Sequence, residues 1–190
     1  MSGSGIAALL VAMTCLALVI SDTTARLVKS AERDAATGLL NQNGFEQHGA
    51  RLVAALPHDA GHEIALALIA IGPVRGVPGR PFADALHGVF GPDALIARIS
   101  ETNFAVLMPQ TNLFGARRQA EMLRARLAAG TIHLSMPART SIGLAEHEPG
   151  DSLSDMAFRA QWALDEARRA GGNAIRRAAR SALATGYGAG

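Results

Sequence analysis

Residues Ile64 to Ile71 (Ile-Ala-Leu-Ala-Leu-Ile-Ala-Ile) form an unbroken apolar run that stops at Gly72-Pro73. A strand with one wet face alternates apolar and polar residues, so a run apolar at every position demands cover on both faces. The chain must therefore build a sheet with this strand near its middle. Its 190 residues, 49% of them hydrophobic, are enough for one domain of ordinary size with a true core, plus a short appendage.

Periodic segments surround that run. A helical connector is expected through Arg33, and Phe45 to Leu56 reads as an amphipathic helix with Phe45, Leu52 and Leu56 on one face and Pro57 as its stop. Phe82 to Phe90 reads as a short helix. Leu95 to Ile99 and Phe104 to Met108 read as two strands joined by the polar turn Ser100-Glu101-Thr102-Asn103, a hairpin whose turn should be exposed. Leu113, Ala116, Ala120, Leu123 and Leu127 recur at spacings of three and four with Gly130 beyond them, the pattern of a packed helix with a glycine cap. Strands are expected at Thr131 to Leu134 and Thr140 to Ala145. A helix from about Asp155 to Ala170 follows, with Ser152 placed to cap it, Ala157, Ala160, Leu164 and Ala167 as its inner stripe, and Gly171 as its end. Trp162 reads as a half-buried aromatic beside that stripe. Strands and helices in mixed order around a central hairpin define a single α+β domain with helices packed on one sheet.

Ahead of the domain, every residue from Ile6 to Ile20 except Thr14 is apolar. That run is shorter than the roughly 20 residues needed to cross hydrocarbon upright. Nothing basic precedes it, whereas Arg26, Lys29 and Arg33 follow, a bias that keeps the C-terminal side in the cytoplasm. The favoured reading is a membrane anchor; a cleaved targeting segment and a helix buried against a partner chain stay open. Lysine and arginine total 18 against 16 acids, so no nucleic-acid partner is implied, although Arg168, Arg169, Arg176, Arg177 and Arg180 cluster near the C-terminus. The lone cysteine, Cys15, excludes an intramolecular disulfide and a cysteine-based zinc site. His58 and His62 are four apart but sit beside Pro57 and Gly61, and read as loop residues rather than metal ligands.

Four segments, in order, carry a resemblance. Asp34-Ala-Ala-Thr37-Gly38-Leu39-Leu40-Asn41-Gln-Asn-Gly-Phe45 resembles Asp-x-Leu-Thr-Gly-Leu-x-Asn-Arg-x-x-Phe. Ala97-Arg98-Ile99-Ser100-Glu101-Thr102-Asn103-Phe104-Ala105-Val106-Leu107-Met108-Pro109 stands where an Arg-x-Gly-Gly-Asp/Glu-Glu-Phe hairpin would, with matching flanks and a different centre. Thr140-Ser141-Ile142-Gly143-Leu144-Ala145 is similar to a Ser-Ile-Gly-Val-Ala strand. Ala163-Leu164-Asp165-Glu166-Ala167-Arg168-Arg169-Ala170-Gly171-Gly172-Asn173 is similar to a terminal Ala-Leu-Tyr-x-Ala-Lys-x-x-Gly-Arg-Asn. Together, over about Ala31 to Arg176, these resemble the GGDEF family of diguanylate cyclases, whose fold is like the palm of nucleotide polymerases and cyclases.

The resemblance implies a site and exposes its losses. Joining two GTP molecules takes a magnesium pair, and hard cations need anionic oxygen ligands. The family's acids at the end of the central strand fall on Ala70 and Gly72, and those of the hairpin on Thr102 and Asn103. None carries a carboxylate. Glu101 stands where the family has a glycine and reads as a solvated turn residue. The guanine-reading segment is shortened to Gly76-Val-Pro-Gly-Arg80, without an Asn-Asp pair. Of two basic phosphate-facing positions, one holds Arg168 and the other Gly172; a lone Arg168 at a helix end reads as a surface residue or dipole partner, and is the phosphate ligand if there is one. The product-inhibition motif Arg-x-x-Asp aligns with Gly91-Pro92-Asp93-Ala94, which lacks it.

These losses imply a degenerate member: a non-catalytic signalling or interaction module acting through a protein partner or a second copy. Two other readings remain, a GTP-sensing domain without turnover and an active cyclase making cyclic di-GMP. The cyclase reading would need Glu101 with Asp84 or Asp93 as displaced ligands. No cofactor is expected, magnesium only under the cyclase reading. Residues 1–26 are expected to be the hydrophobic segment, 27–180 the domain with its connector, and 181–190 a disordered tail. The domain would then be cytoplasmic and held at the inner membrane through residues 6–20.

Overall fold

The computed structural model describes residues 32–55, 63–72, 79–130 and 139–179. In chain order these form α1 (Gln42–Ala54), β1 (Ile64–Ile71), α2 (Arg80–Phe90), β2 (Leu95–Arg98), β3 (Asn103–Pro109), α3 (Leu113–Ala128), β4 (Thr140–Glu146), α4 (Leu153–Arg169) and β5 (Ile175–Arg177). Among the described residues the sheet runs β2-β3-β1-β4-β5. Its first three neighbour pairs are antiparallel, and β5 lies parallel to β4. The apolar run is thus the central strand, beside the hairpin. The architecture is the expected α+β sheet flanked by helices.

The run is apolar throughout because its two faces feed two cores. Ala65, Ala67, Ile69 and Ile71 pack with Phe82, Leu86, Leu123 and Leu127 under α2 and α3. Ile64 and Leu66 pack with Phe45, Val53, Leu153, Met156 and Ala160 under α1 and α4. Fully burying a large aliphatic side chain is worth about 1.5–3 kcal/mol, so the central strand contributes to both cores at once.

The fit of α4 to the sheet rests on Gly143. A Cβ there would lie 2.1 Å from the Ala160 carbonyl oxygen and 2.4 Å from the Leu164 nitrogen, so helix backbone and strand backbone touch. The small residues Ala160, Ala163 and Ala167 on the facing side of α4 complete that approach. Its start is fixed by a capping box: the Ser152 hydroxyl accepts from Asp155 N, and the Asp155 carboxylate accepts from Ser152 N.

Several expectations are corrected. Arg33 is not in a helix; it forms an isolated bridge with Leu40, so a connector could extend no further than the undescribed residues before it. Helix α1 begins at Gln42 rather than Phe45, because the Asn41 side chain accepts from Gly44 N and caps it. Trp162 is 59% exposed instead of half-buried in the core, and Met156 fills the inner stripe where Ala157 is only partly covered. Strand β5 falls where the sequence suggested only clustered arginines. The expected strand Thr131 to Leu134, the stop at Pro57, the His58 and His62 pair, the apolar run 6–20 and the tail 181–190 lie outside the described residues. Among the described residues, no helix is long and apolar enough to cross a membrane.

Candidate functional site

The hairpin turn, the end of β1 and the end of α4 meet at one end of the sheet. Asn103 is the cross-strand partner of Ala70, Ser141 pairs with Ala70 from the other side, and Ile71 N donates to Thr102 O at 2.9 Å. The turn is closed by Ile99 N and Ser100 N, which both donate to Asn103 O at 2.8 and 3.2 Å. Ser100 and Glu101 are exposed, Thr102 and Asn103 half-buried, while Phe104 turns into the core against Phe82 with ring centroids 4.8 Å apart. Gly72, just past β1, is half-buried beside Arg139.

Two arginines organise this end. Arg98 extends from β2 so that Nε donates to Ser100 O at 3.1 Å and Nη2 to Glu101 O at 3.3 Å, while Nη1 lies 3.1 Å from Asp34 Oδ2. Its side chain is only 9% exposed. Asp34 Oδ1 also accepts from Thr37 N at 2.9 Å and from Thr37 Oγ1 at 2.6 Å. Burial pushes the Asp34 carboxyl up, but the bonds from the Thr37 hydroxyl and N–H, and then Arg98, outweigh it and hold the group below its ordinary range. The turn of this leading motif needs Gly38 at φ +74°, a left-handed conformation that glycine adopts without strain. Leu40 then joins the sheet edge, with Leu40 N donating to Ile96 O and Arg98 N to Leu40 O.

The second arginine is Arg168, at the last turn of α4. Its Nη2 donates to Asn103 Oδ1 at 3.0 Å, and Asn103 Nδ2 donates to Ser100 Oγ at 2.8 Å. A weaker contact of 3.5 Å links Arg168 to Asp165. The sequence placed Arg168 as a surface or dipole residue; it is exposed, but it spans the gap to the hairpin. Sequence reasoning missed the Asp34–Arg98 pair, although both residues stood in the motifs that carried the resemblance.

The donor set does not suit magnesium. Ala70 and Gly72 offer no ligating side chain, Thr102 and Asn103 offer neutral oxygens, and the Arg168 guanidinium, donating to the Asn103 oxygen, places a positive charge beside it. Among the described residues no group of three or more His, Cys, Asp or Glu side chains could hold a metal ion. Asp84 and Asp93 are exposed on and after α2, and neither is among the bonded partners of the turn.

The class of this five-stranded α+β domain, with its hairpin beside a central apolar strand, is given by its family match. The family model described as "Diguanylate cyclase, GGDEF domain" matches residues 80–174, and the chain belongs to the GGDEF domain family. Solved structures agree in fold. The coiled coil and GGDEF domain of DgcB from Caulobacter crescentus, solved in complex with c-di-GMP, is 23% identical at a TM-score of 0.77, over 92% of this chain and 100% of that one. The diguanylate cyclase SiaD from Pseudomonas aeruginosa, solved with its activator SiaC, is 22% identical at a TM-score of 0.67, over 91% of this chain and 72% of that one. The FimX GGDEF domain from Pseudomonas aeruginosa is 24% identical at a TM-score of 0.61, over 77% of this chain and 98% of that one. No curated protein matches the sequence.

Proposed function

We propose that this chain is a non-catalytic GGDEF protein that works as a signalling or interaction module through a protein partner. The observation that carries the reading is the cross-strand pair Ala70 and Asn103. The two positions still face each other, but one offers a methyl group and the other a neutral amide already bonded to Arg168 and Ser100. Stabilising the charge that develops in phosphoryl transfer depends on preorganised cations and their anionic ligands. With those ligands gone, partner binding is the activity left to the domain. SiaD, solved with its activator protein, supplies a precedent for partnership within the fold.

The test is an assay of the full chain with GTP and magnesium, with cyclic dinucleotide as the readout. No product above a no-enzyme control is expected, and Thr102→Glu alone should not restore any, since Ala70 remains unable to share a metal. Product that depends on magnesium and is lost on heat denaturation overturns the reading.

A second reading, GTP binding without turnover, has one observation on its side. Thr140 Oγ1 and Asn173 Oδ1, both at this end of the sheet, are buried with no hydrogen-bond partner among the described residues. Against it, the shallow cavity beside the Ser100 turn, of about 390 Å³, is lined by Asp34 and Arg98, whose charges already neutralise each other. Calorimetric titration with GTP separates the two: saturable binding without product favours the sensor.

A further inference from the structure

At the end of the sheet away from the hairpin, a groove of about 670 Å³ lies between β5 and the start of α3. Strand β5 is the outermost strand, so one of its edges has no neighbour among the described residues. Toward β4 it presents Ala174 O, which accepts from Ile142 N, and Ala178 N, which donates to Leu144 O. By the alternation of a strand ladder, the N–H and C=O groups of Ile175 and Arg177 point outward.

The groove beside this edge has an unusual charge balance. Its two acids are occupied: Glu146 Oε1 accepts from Leu113 N at 3.2 Å at the start of α3, and Glu63 Oε1 accepts from Asn112 Nδ2 at 3.1 Å. Its arginines are not matched to them. Among the described residues the Arg117 and Arg177 side chains have no hydrogen bond or ion pair, and the Arg176 side chain reaches only the Ile175 carbonyl oxygen. Next to them Phe114 is 78% exposed, on the same turn of α3 as Arg117. Charged side chains on an edge strand ordinarily serve to keep it unpaired. They do not call for an exposed aromatic beside them, and such a ring among arginines is typical of the anchoring centre of an interface.

We propose that this face binds an acidic, extended segment of a protein partner, which adds as a strand to the free edge of β5. The main chain of the segment pairs with Ile175 and Arg177. Its carboxylates meet Arg117 and Arg177, and an apolar residue covers Phe114. A concave groove next to unpaired peptide groups fits a polypeptide better than a flat lipid surface, because another backbone matches the alternating donors and acceptors of a strand edge and a lipid surface does not. The tail that follows β5, residues 180–190, contains no Asp or Glu and so does not match the arginines. The inference deepens the reading of the chain as an interaction module, but its surface is separate from the hairpin, so its outcome does not depend on turnover.

The experiment uses the full chain and a fluorescein-labelled ten-residue peptide of alternating glutamate and valine, with anisotropy as the readout. Saturable binding is expected, weakened at least tenfold by Arg117→Glu with Arg177→Glu and severalfold by Phe114→Ser. A peptide N-methylated on every central amide should lose binding, because neither of its edges can then donate to β5. All three positions are exposed or rimming, and far-UV circular dichroism confirms that the variants are folded. Absence of binding overturns the proposal, as does equal binding by the N-methylated peptide or a lysine–valine control. Vesicles of phosphatidylcholine with phosphatidylserine that bind through the same arginines, while the peptide does not, assign the face to a membrane surface and overturn it as well. Failure here with no cyclic dinucleotide made leaves the non-catalytic reading standing.

Discussion

The leading motif, Asp34 to Phe45, and the hairpin turn, Ser100 to Asn103, are joined through Arg98, and they keep different kinds of residue. In the leading motif nearly every motif side chain is structural. Asp34 holds Thr37 and Arg98, Asn41 caps α1, and Leu39 and Phe45 are buried. In the turn, the backbone carries the shape. Ile99 N and Ser100 N donate to Asn103 O, and the carbonyls of Ser100 and Glu101 accept from the Arg98 side chain, so the turn contributes main-chain atoms to these bonds, with the Asn103–Ser100 side-chain bond added to them. A turn held by its main chain can exchange carboxylates for neutral groups and stay folded; a motif held by its side chains cannot. The fold at this end of the sheet therefore does not require carboxylates in the turn.

The largest loss of stability is expected at Asp34. Asp34→Ala leaves the Arg98 guanidinium nearly buried without its acid and Thr37 without its acceptor, and should cost about 2–4 kcal/mol in chemical denaturation. A cost under about 1 kcal/mol would mean that the motif is no more structural than the turn. Next comes Asn41→Ala, which removes the acceptor for Gly44 N and should cost about 1 kcal/mol, read from the same curves.

A carboxyl held below its ordinary value of 3.8 contributes stability that is present above that pH and is lost as pH falls through the folded value. The stability gap between the wild-type chain and Asp34→Asn should therefore be level from neutral pH to about pH 5 and close below about pH 4. A gap that persists at pH 2 would assign the effect to packing instead of charge. The smallest effect belongs to the turn: Glu101→Gln or Thr102→Ala should shift stability by no more than about 0.5 kcal/mol, measured by melting temperature.

Much of the fold was legible in the sequence because apolar burial leaves a period. The two-faced run of β1, the helical spacing of α3 and the Ser152 cap each state their role locally. Trp162 was legible but misread: at about 100° per residue it stands roughly 200° around α4 from Ala160, on the outer face. There the guanidinium of Arg169 lies 5.7 Å from its ring centroid, an exposed cation–π contact. Strand β5 was not legible, since three residues with two arginines carry no period, and only the parallel neighbour β4 makes them a strand. For the site, the resemblance located Ala70, Thr102, Asn103 and Arg168, but the bond from Arg168 to Asn103 joins residues 65 apart in sequence and no spacing announces it.

The backbone contact at Gly143 has a mechanical consequence. Ala160 and Leu164, which it touches, lie close to the midpoint of the seventeen-residue α4, a helix about 26 Å long. With helix and strand backbones in direct contact, α4 cannot slide along β4 or roll on it without parting from the sheet. Of the rigid-body motions, rocking about that fulcrum, with arms of nearly equal length, disturbs the contact least. Such a tilt carries Ser152, beside the ion-paired loop of Arg159, Glu148 and Asp151, in the opposite sense to Arg168 at the hairpin.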